Sequence, residues 1–366
     1  MIIKPLNILG LMSGTSLDGI KAALISTDGV DIYETTFTRR YVFDEHLRFK
    51  IRAILGKKST IEQEKILIDT VEYDFTEFLC NIISEIKSET GVEINAIGLE
   101  GPTICNEPDN HYTYQLGKGK IIATNTGIDV VTHFHNADIL NGGLGYPIAT
   151  TYYNSLAQNL GKPIAFINIG GTTNITWIGH FGEMISFDCG PGNALIDDWM
   201  LKHGGVLMDY NGKSAAMGNV DHKIVNTMLK HDFFAKYPPK TLDRNEFNNK
   251  TEHLEGLSLE DGAATVTDFV AEAIAYSLAF YLPEVPAQTV ICGGGTKNPT
   301  LLRFLRNKLK SMNIATLPEN ELDVEINDAS AIAFLAARRI YSLPITFPTT
   351  TGIASAMTGG EIYKKE

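Results

Sequence analysis

Two short apolar runs joined by a loop of glycine and hydroxyl residues constrain the start of this chain most strongly. Residues 8–12 and 20–25 are largely apolar, and Ser-Gly-Thr-Ser-Leu-Asp-Gly runs between them from Ser13 to Gly19. Short apolar runs around a loop of this composition are typical of a β-hairpin. Glycine permits positive φ angles, and successive N–H groups in such a turn can bind an anion. The stretch therefore predicts either a plain hairpin turn or a phosphate-binding loop.

The loop matches neither of the common nucleotide-binding motifs. It contains no G-x-G-x-x-G, and a Walker A motif ending in Gly212-Lys213-Ser214 would need glycine where Leu207 stands. If this chain binds a phosphate here, it uses a hairpin loop.

Two further glycine turns follow strand-like runs. Residues 163–179 repeat the pattern of strand, loop and strand about 160 residues after the first, with Gly170-Gly171-Thr172 in the loop. Gly293-Gly294-Gly295 follows an apolar run at 288–292 and precedes a helical pattern. A helix N-terminus after such a turn offers free N–H groups to an anion. Two similar halves, each presenting a hairpin loop, would hold one ligand between them.

The rest of the pattern predicts alternating helices and strands, which is an α/β architecture. The predicted helices are 44–55, 61–89, 193–202, 261–282, 298–309 and 328–341. The further predicted strands are 31–40, 94–99, 184–187 and 288–292, with strand-like runs across 111–131. Helix 61–89 carries an apolar stripe from Ile66 to Ile86 that predicts core packing. We expect a first domain at 1–130, completed by a tail at about 350–366, and a second domain at 131–349.

Composition excludes several kinds of partner. The 366 residues carry a net charge of −12, whereas nucleic acids and anionic membranes bind basic surfaces. No apolar run approaches the length that spans a bilayer, and the N-terminus lacks the layout of a signal peptide. Four scattered cysteines without a C-x-x-C pair argue against a disulfide framework or a zinc site. These features predict a soluble cytoplasmic protein.

Three glycine turns and a carboxylate at a strand end suggest phosphoryl transfer, in which the protein mainly positions groups and stabilises charge. Asp188 follows an apolar run and precedes a glycine turn and a helix, so it is the candidate base. A helix-capping role is its alternative. His133 and His135, in the polar segment 132–150, predict hydrogen bonds to a polar substrate rather than metal ligation, because no third ligand is evident.

Four ordered motifs resemble those of the anhydro-N-acetylmuramic acid kinases. They are Leu11–Gly19, Ile169–Ile175, Phe187–Asp197 and Cys292–Pro299. Residues 238–245 and 347–352 also resemble that family, so the resemblance covers nearly the whole chain.

The resemblance implies an actin/hexokinase-like (ribonuclease H-like) fold of two α/β domains around a cleft, and a homodimer. It implies that ATP and Mg2+ act on 1,6-anhydro-N-acetylmuramic acid and that Asp188 deprotonates the attacking water. Asp18 is the candidate for holding Mg2+, directly or through water. The implied nucleotide-binding residues are Gly14, Thr15, Ser16, Leu17, Asp18, Gly19, Ile20, Lys21, Gly170, Gly171, Thr172, Gly293, Gly294, Gly295 and Asn298. The candidate substrate residues are Glu100, Thr103, His135, Asp138, Asn174 and Ser330.

This sequence departs from the family pattern mainly where the sugar would bind. The usual His-Gly-Gln-Thr reads Glu-Gly-Pro-Thr from Glu100 to Thr103, and a usual Arg is His135. Leu144 and Tyr146 replace a Gln and an Ala. A usual Glu is Ser330, and a segment that usually ends in Asp ends in Lys21. Such changes predict altered substrate specificity, because polar sites discriminate strongly through hydrogen bonds. A kinase for another anhydrosugar or hexosamine, and a nucleotide-binding regulatory module, therefore remain alternatives.

Overall fold

The chain divides into two compact units. The computed structural model describes residues 4–14, 17, 19–244, 246–247, 253–310, 312–316 and 327–365. The first unit comprises Met1–Leu156 and Glu325–Glu366, and the second comprises Ala157–Val324. These boundaries differ from the expected 130 and 349.

A six-stranded sheet organises the first unit, in the order β13-β7-β4-β1-β2-β3. Strands β1, β2 and β3 are antiparallel neighbours, whereas β1, β4 and β7 run parallel. The strands of this sheet are β1 Leu6–Met12, β2 Gly19–Thr27, β3 Ile32–Val42, β4 Ala96–Glu100, β7 Asp129–Thr132 and β13 Glu361–Tyr363. A separate hairpin consists of β5 Thr103–Glu107 and β6 Tyr112–Gln115.

Helices cover both faces of this sheet. They are α1 Glu45–Ile54, α2 Glu62–Thr90, α3 Gly119–Thr126, α4 Asn136–Leu140, α5 Thr150–Leu156 and α11 Asn327–Ile340. Leu9 and Leu11 pack in one core with Phe75 and Leu79 of α2. On the other face α11 packs so closely that a Cβ at Gly10 would overlap the backbone oxygen of Ala329. This packing explains why α11 belongs to the first unit and not to the expected second domain.

Three details of the first unit correct the sequence-based expectations. Ile66 is 66% exposed, so the buried stripe of α2 begins at Ile68. Residues 119–126, expected to be strand-like, form α3, because Ile122 and Ala123 are buried one helical turn before the left-handed cap at Gly127. The polar segment 132–150 also contains the short helix α4.

The second unit repeats the strand order of the first. Its sheet has the order β10-β9-β8-β11-β12, which corresponds strand for strand to β3-β2-β1-β4-β7 of the first sheet. In both sheets the first two neighbouring pairs are antiparallel and the next two are parallel. The strands are β8 Ile164–Ile169, β9 Thr172–Ile178, β10 Met184–Pro191, β11 Gln288–Cys292 and β12 Ile314–Thr316. The repeated topology agrees with the expected actin/hexokinase-like fold class.

The helices of the second unit surround one long central helix. They are α6 Asn193–Gly204, α7 Lys213–Met217, α8 His222–Met228, α9 Leu259–Phe280 and α10 Pro299–Lys308. By length and composition α9 could cross a membrane, contrary to the expectation that no apolar run is long enough. However, 72% of its apolar stretch is buried, and residues such as Phe269 and Ile274 pack in the core of this unit. Its apolar character is that of a core helix.

Candidate active site

Asp188 lies at an irregularity in the edge strand β10. The residue faces Asn174 across the β9–β10 pair, and the register shifts between Asp188 and Gly190. A β-bulge of this kind bends its strand and re-aims a side chain. The strand ends three residues later, and α6 follows with Gly192 as its N-cap. Asp188 therefore does not cap this helix, which was the alternative to its role as a base.

The Asp188 carboxylate is buried and accepts two hydrogen bonds. It is 5% exposed, and its Oδ2 accepts hydrogen bonds from Thr241 Oγ1 at 2.9 Å and from the Leu242 N–H at 2.8 Å. Burial raises the pKa of Asp188 to about 6, although these two hydrogen bonds and the charge of Lys240 oppose the rise. A carboxylate with a pKa in this range is suited to general-base work near neutral pH.

The Gly170-Gly171 turn connects to the start of α6. The Gly170 carbonyl accepts the Asn193 N–H at 2.8 Å, and the Gly171 carbonyl accepts the N–H groups of Gly192 and Ala194. A Cβ at Gly192 would overlap the Gly170 oxygen, so only glycine permits this approach. The turn thus satisfies N–H groups that the first turn of a helix otherwise leaves open. Thr172, beside it, is half-buried.

The third glycine turn lies next to the second. Gly293 has a φ of +82° and contacts Asn168 and Ile169 at the end of β8. Gly294 is exposed, and a Cβ there would have only Asn193 Nδ2 nearby, at 3.5 Å. Gly294 is therefore the open point of the turn, whereas Gly295 packs on Ile169.

Asn298, an expected nucleotide-binding residue, caps α10: its Oδ1 accepts the Leu301 N–H at 3.0 Å.

These pieces share one edge of the second sheet. β8 and β11 are parallel neighbours, and β10 runs in the same direction as β8 because β9, which is antiparallel to both, lies between them. Asp188 and the turns at Gly170 and Gly293 consequently lie at the carboxyl ends of these strands. In open α/β sheets that edge is where ligands bind.

The first glycine loop is described in part. Thr15, Ser16 and Asp18 lie outside the described residues. The side chains of Leu17 and Ile20 are buried in the core, so backbone groups are what these two could offer a nucleotide.

Two residues at the end of this loop have clear structural roles. Gly19 is needed because a Cβ there would overlap the backbone oxygen of Tyr41 on β3. Lys21, where the family has Asp, forms a 2.8 Å ion pair with Asp328 at the start of α11.

Glu100 and His135 form a buried pair in the first unit. His135 Nε2 lies 2.6 Å from Glu100 Oε1, and its Nδ1 lies 2.7 Å from the Gly145 carbonyl oxygen. Both are fully or almost fully buried. Burial lowers the pKa of His135, but the charge of Glu100, the hydrogen bonds to Glu100 and Gly145, and the charge of Asp138 together raise it above its usual value. Because both ring nitrogens face acceptors, the imidazolium form matches the geometry.

Tyr146, which also departs from the family pattern, contacts this pair. The Tyr146 ring stacks on His135 with ring centroids 3.9 Å apart, and its hydroxyl lies 3.0 Å from Thr103 Oγ1. Asp138 accepts the Gly145 N–H and the Thr351 hydroxyl, which fixes the loop that carries Tyr146. We call Glu100, Thr103, His135 and Tyr146 the Glu100 network.

The structure therefore brings most of the candidate substrate residues into one group. Glu100, Thr103 and His135 lie together in the first unit, with Asp138 one contact away. Asn174 lies opposite Asp188 in the second unit. Ser330 is a buried residue of α11.

Sequence reasoning missed the residues that hold Asp188. Lys240, Thr241 and Leu242 belong to a segment that resembled the family, but only its proximity to Asp188 reveals its use. No local sequence pattern signals this contact, because it joins residues 53 positions apart.

The described residues contain no group of three His, Cys, Asp or Glu side chains that could hold a metal ion. His133 packs its ring edge-on to Tyr363.

Two α/β units with one repeated strand order, and a buried carboxylate beside glycine turns, define a protein of the actin/hexokinase-like class. The model of one family, described as anhydro-N-acetylmuramic acid kinase, matches residues 6–365. The chain belongs to this family.

Named relatives agree with the family match. An anhydro-N-acetylmuramic acid kinase of Rhodospirillum rubrum is 38% identical over 361 residues, covering 97% of this chain and 93% of the relative. One of Paramagnetospirillum magneticum is 38% identical over 356 residues, covering 96% and 98%.

Solved structures show weaker likeness. Component A of (R)-2-hydroxyglutaryl-CoA dehydratase from Acidaminococcus fermentans is 14% identical with a TM-score of 0.46, covering 92% of this chain and 99% of that one. A ROK family glucokinase from Streptomyces griseus, in complex with glucose and AMPPNP, is 12% identical with a TM-score of 0.40, covering 91% and 99%. Likenesses this distant add nothing about function.

Proposed function

We propose that this chain is an ATP-dependent kinase that opens the 1,6-anhydro bridge of 1,6-anhydro-N-acetylmuramic acid with water and phosphorylates O6. The products are N-acetylmuramic acid 6-phosphate and ADP. Family membership supports the reaction. The observation that carries the proposal is the buried Asp188 carboxylate, with one oxygen held and a pKa of about 6, at the sheet edge that presents the glycine turns.

In this reaction Asp188 acts as the general base. Water forms a bond to C1 as one of its protons moves to the Asp188 carboxylate. The C1–O6 bond breaks and its electron pair stays on O6, which bonds to the γ-phosphorus as the bond to ADP breaks. Burial serves this step because a poorly solvated carboxylate takes a proton more readily.

The glycine turns supply the nucleotide side. The exposed Gly294 and the Gly170 turn can approach phosphates closely, because neither presents a side chain there. In the first unit, residues 14–21 are proposed to contact ATP.

Mg2+ fits this site only in part. Mg2+ usually takes one or two carboxylates together with substrate phosphates, so the lack of a three-residue cluster among the described residues is compatible with it. The proposed ligand Asp18 lies outside the described residues.

The proposal also includes a cytoplasmic homodimer that binds neither nucleic acid nor membrane. The net charge of −12 and four free cysteines support this setting. Sedimentation of the purified protein would measure its oligomeric state.

A second candidate substrate is an anhydrosugar that lacks a carboxylate. The Glu100 network favours it. A family Arg offers a fixed fork of donors to a carboxylate, whereas the positive charge of His135 is already balanced by Glu100. Whichever atom holds the proton, the pair is neutral and attracts an anionic sugar only weakly.

The test compares two sugars. Purified protein with Mg-ATP receives either 1,6-anhydro-N-acetylmuramic acid or 1,6-anhydro-N-acetylglucosamine, which lacks the lactyl carboxylate, and phosphorylated sugar is measured. The Asp188→Asn variant is the control, and it should lose about 10²- to 10⁴-fold in kcat, the usual contribution of general-base catalysis.

Each outcome decides between the candidates. Preferred turnover of the muramic sugar supports the proposed function, and preferred turnover of the neutral sugar supports the second candidate. In that second case the double change Glu100→His with His135→Arg should shift preference toward the muramic sugar. No turnover of either sugar, with ATP still bound, would contradict both and indicate a nucleotide-binding regulatory module.

A further inference from the structure

Residues 240–242 contact Asp188 along both its backbone and its side chain. The Asp188 N–H donates to the Lys240 carbonyl oxygen at 3.0 Å, while Thr241 and Leu242 donate to the carboxylate. The segment therefore lies against β10 at the bulge like a short additional strand. Its three contacts fix the position and the rotation of the Asp188 carboxylate.

The hydrogen bonds distinguish the two carboxylate oxygens. Described residues donate two hydrogen bonds to the carboxylate, one from a hydroxyl and one from a backbone N–H. Oδ2 accepts both. An oxygen that accepts two hydrogen bonds is a poorer proton acceptor than its partner on the same carboxylate. Oδ1 is consequently the oxygen better placed to take a proton.

Lys240 anchors this segment in the core. The residue is 4% exposed, and its Nζ donates to the Phe233 carbonyl oxygen at 3.1 Å. The ammonium also lies 4.4 Å from the centre of the Phe233 ring and 4.0 Å from that of Tyr281. A cation over aromatic faces is stabilised by their electrons, more strongly where water is excluded. The anchor keeps the backbone of Thr241 and Leu242 in place.

We infer that Lys240, Thr241 and Leu242 are positioning residues that hold Oδ2 of Asp188, so that Oδ1 takes the proton of the attacking water. This inference rests on the proposed function for the identity of the reaction, but the hold on the carboxylate can be measured without any substrate.

Among the described residues, Lys240 is the cation whose charge acts on Asp188, and Lys236 acts on Lys240 in turn. Cys189, next in the chain, has a thiol pKa raised by burial and by the charge of Asp188, so it stays neutral. Asn174, opposite on β9, carries no charge. The Thr241 hydroxyl is thus the contact to Asp188 that a substitution can remove without changing a charge.

The experiment measures the Asp188 pKa by carbon NMR of protein labelled at aspartate, with Asp188→Asn assigning the signal. Thr241→Val keeps the shape of the side chain but removes the hydroxyl. Removing a hydrogen bond to the charged form of a carboxyl group favours its neutral form. We therefore expect the Asp188 pKa to rise by about one unit in this variant, and Thr241→Ser to return it close to the starting value.

Activity supplies the second readout. In Thr241→Val the acidic limb of the kcat/KM profile should move up by the same amount, with the KM for ATP within about twofold of the unchanged protein. Lys240→Met, which keeps an apolar chain in the aromatic cage, should raise the Asp188 pKa in the same direction. It also provides the test if Thr241→Val does not fold.

The outcomes separate this inference from the proposed function. An unchanged Asp188 titration in Thr241→Val, or equal shifts in the Val and Ser variants, would overturn the positioning role. A shifted titration in a protein that phosphorylates neither sugar would support the positioning role and contradict the kinase proposal.

Discussion

Asp188 and Glu100 are two carboxylates buried to the same extent, and their neighbours give them opposite properties. Each is 5% exposed. Asp188 accepts hydrogen bonds from a hydroxyl and a backbone N–H, so burial raises its pKa to about 6 and leaves it ready to take a proton. Glu100 instead lies 2.6 Å from the imidazole of His135, which can carry a balancing positive charge. Burial alone therefore does not make a base, because the nearest partner decides.

The same contrast separates what this chain shares with its family from what it has changed. Asp188 stands in a motif that matches the family. The departures at Glu100, His135 and Tyr146 contact one another in the folded chain. Lys21, another departure, pairs with Asp328. The changes therefore form compensated groups of residues, which is what a site with a changed preference would retain.

Breaking the Glu100–His135 pair should give the largest change in stability. His135→Gln leaves the Glu100 carboxylate buried without its cation, and removing one partner of a buried ion pair typically costs about 3–5 kcal/mol. The double variant Glu100→Gln with His135→Gln should recover much of this loss, since no charge remains. Urea unfolding of the single and double variants at pH 7 measures the coupling, and additive losses below about 1 kcal/mol would contradict the pair.

The pair also has a defined pH dependence. The pKa of His135 is raised in the folded chain. Its stabilisation is therefore fully present below the unfolded pKa of about 6.5 and disappears as the pH rises through the folded value. The His135→Gln variant should lack this alkaline loss.

Much of the fold could be predicted from the sequence, because the signals for strands, turns and helix caps are local. Glycine turns between apolar runs placed β1, β2, β8 and β9 correctly, and the cap at Gly91 ended α2. It was wrong at α3, because pairs such as Ile121-Ile122 suit a strand as well as a short helix. The sequence did not predict the division into units, because α11 packs on the first sheet although more than 300 residues separate it from β1 in the chain.

The candidate site was predicted less completely. Asp188 and its glycine turns were visible because they are contiguous motifs. The role of Thr241 and the pairing of Glu100 with His135 were not, because they are contacts between distant segments. From the sequence alone, each departure from the family pattern suggests the loss of a hydrogen-bonding partner. The structure shows that several of the substituted residues contact each other.

Replacing Asp188 tests whether its buried charge destabilises the folded chain. Asp188→Asn keeps an oxygen for Thr241 and Leu242 but removes the charge. Because the pKa of Asp188 is raised to about 6 from 3.8, its ionisation destabilises the folded chain as the pH rises through this window, and the cost is absent below it. The variant should be up to about 3 kcal/mol more stable than the unchanged protein at pH 7 and similar to it near pH 4. Thermal or urea unfolding at both pH values measures the difference, and an equal gain at both would contradict a buried charge as its cause.

The smallest effect is expected when the Tyr146 hydroxyl is removed, and this change can be compared with removal of the Thr241 hydroxyl. Tyr146→Phe removes the contact with Thr103 Oγ1 but keeps the ring stacked on His135. A neutral hydrogen bond contributes about 1 kcal/mol, so stability should fall by that amount or less. The Asp188 titration, which Thr241→Val shifts, should not move, because Tyr146 is absent from the groups that set that pKa. Urea unfolding together with the aspartate NMR titration tests both statements. A shifted Asp188 pKa in Tyr146→Phe would contradict the independence of the two regions.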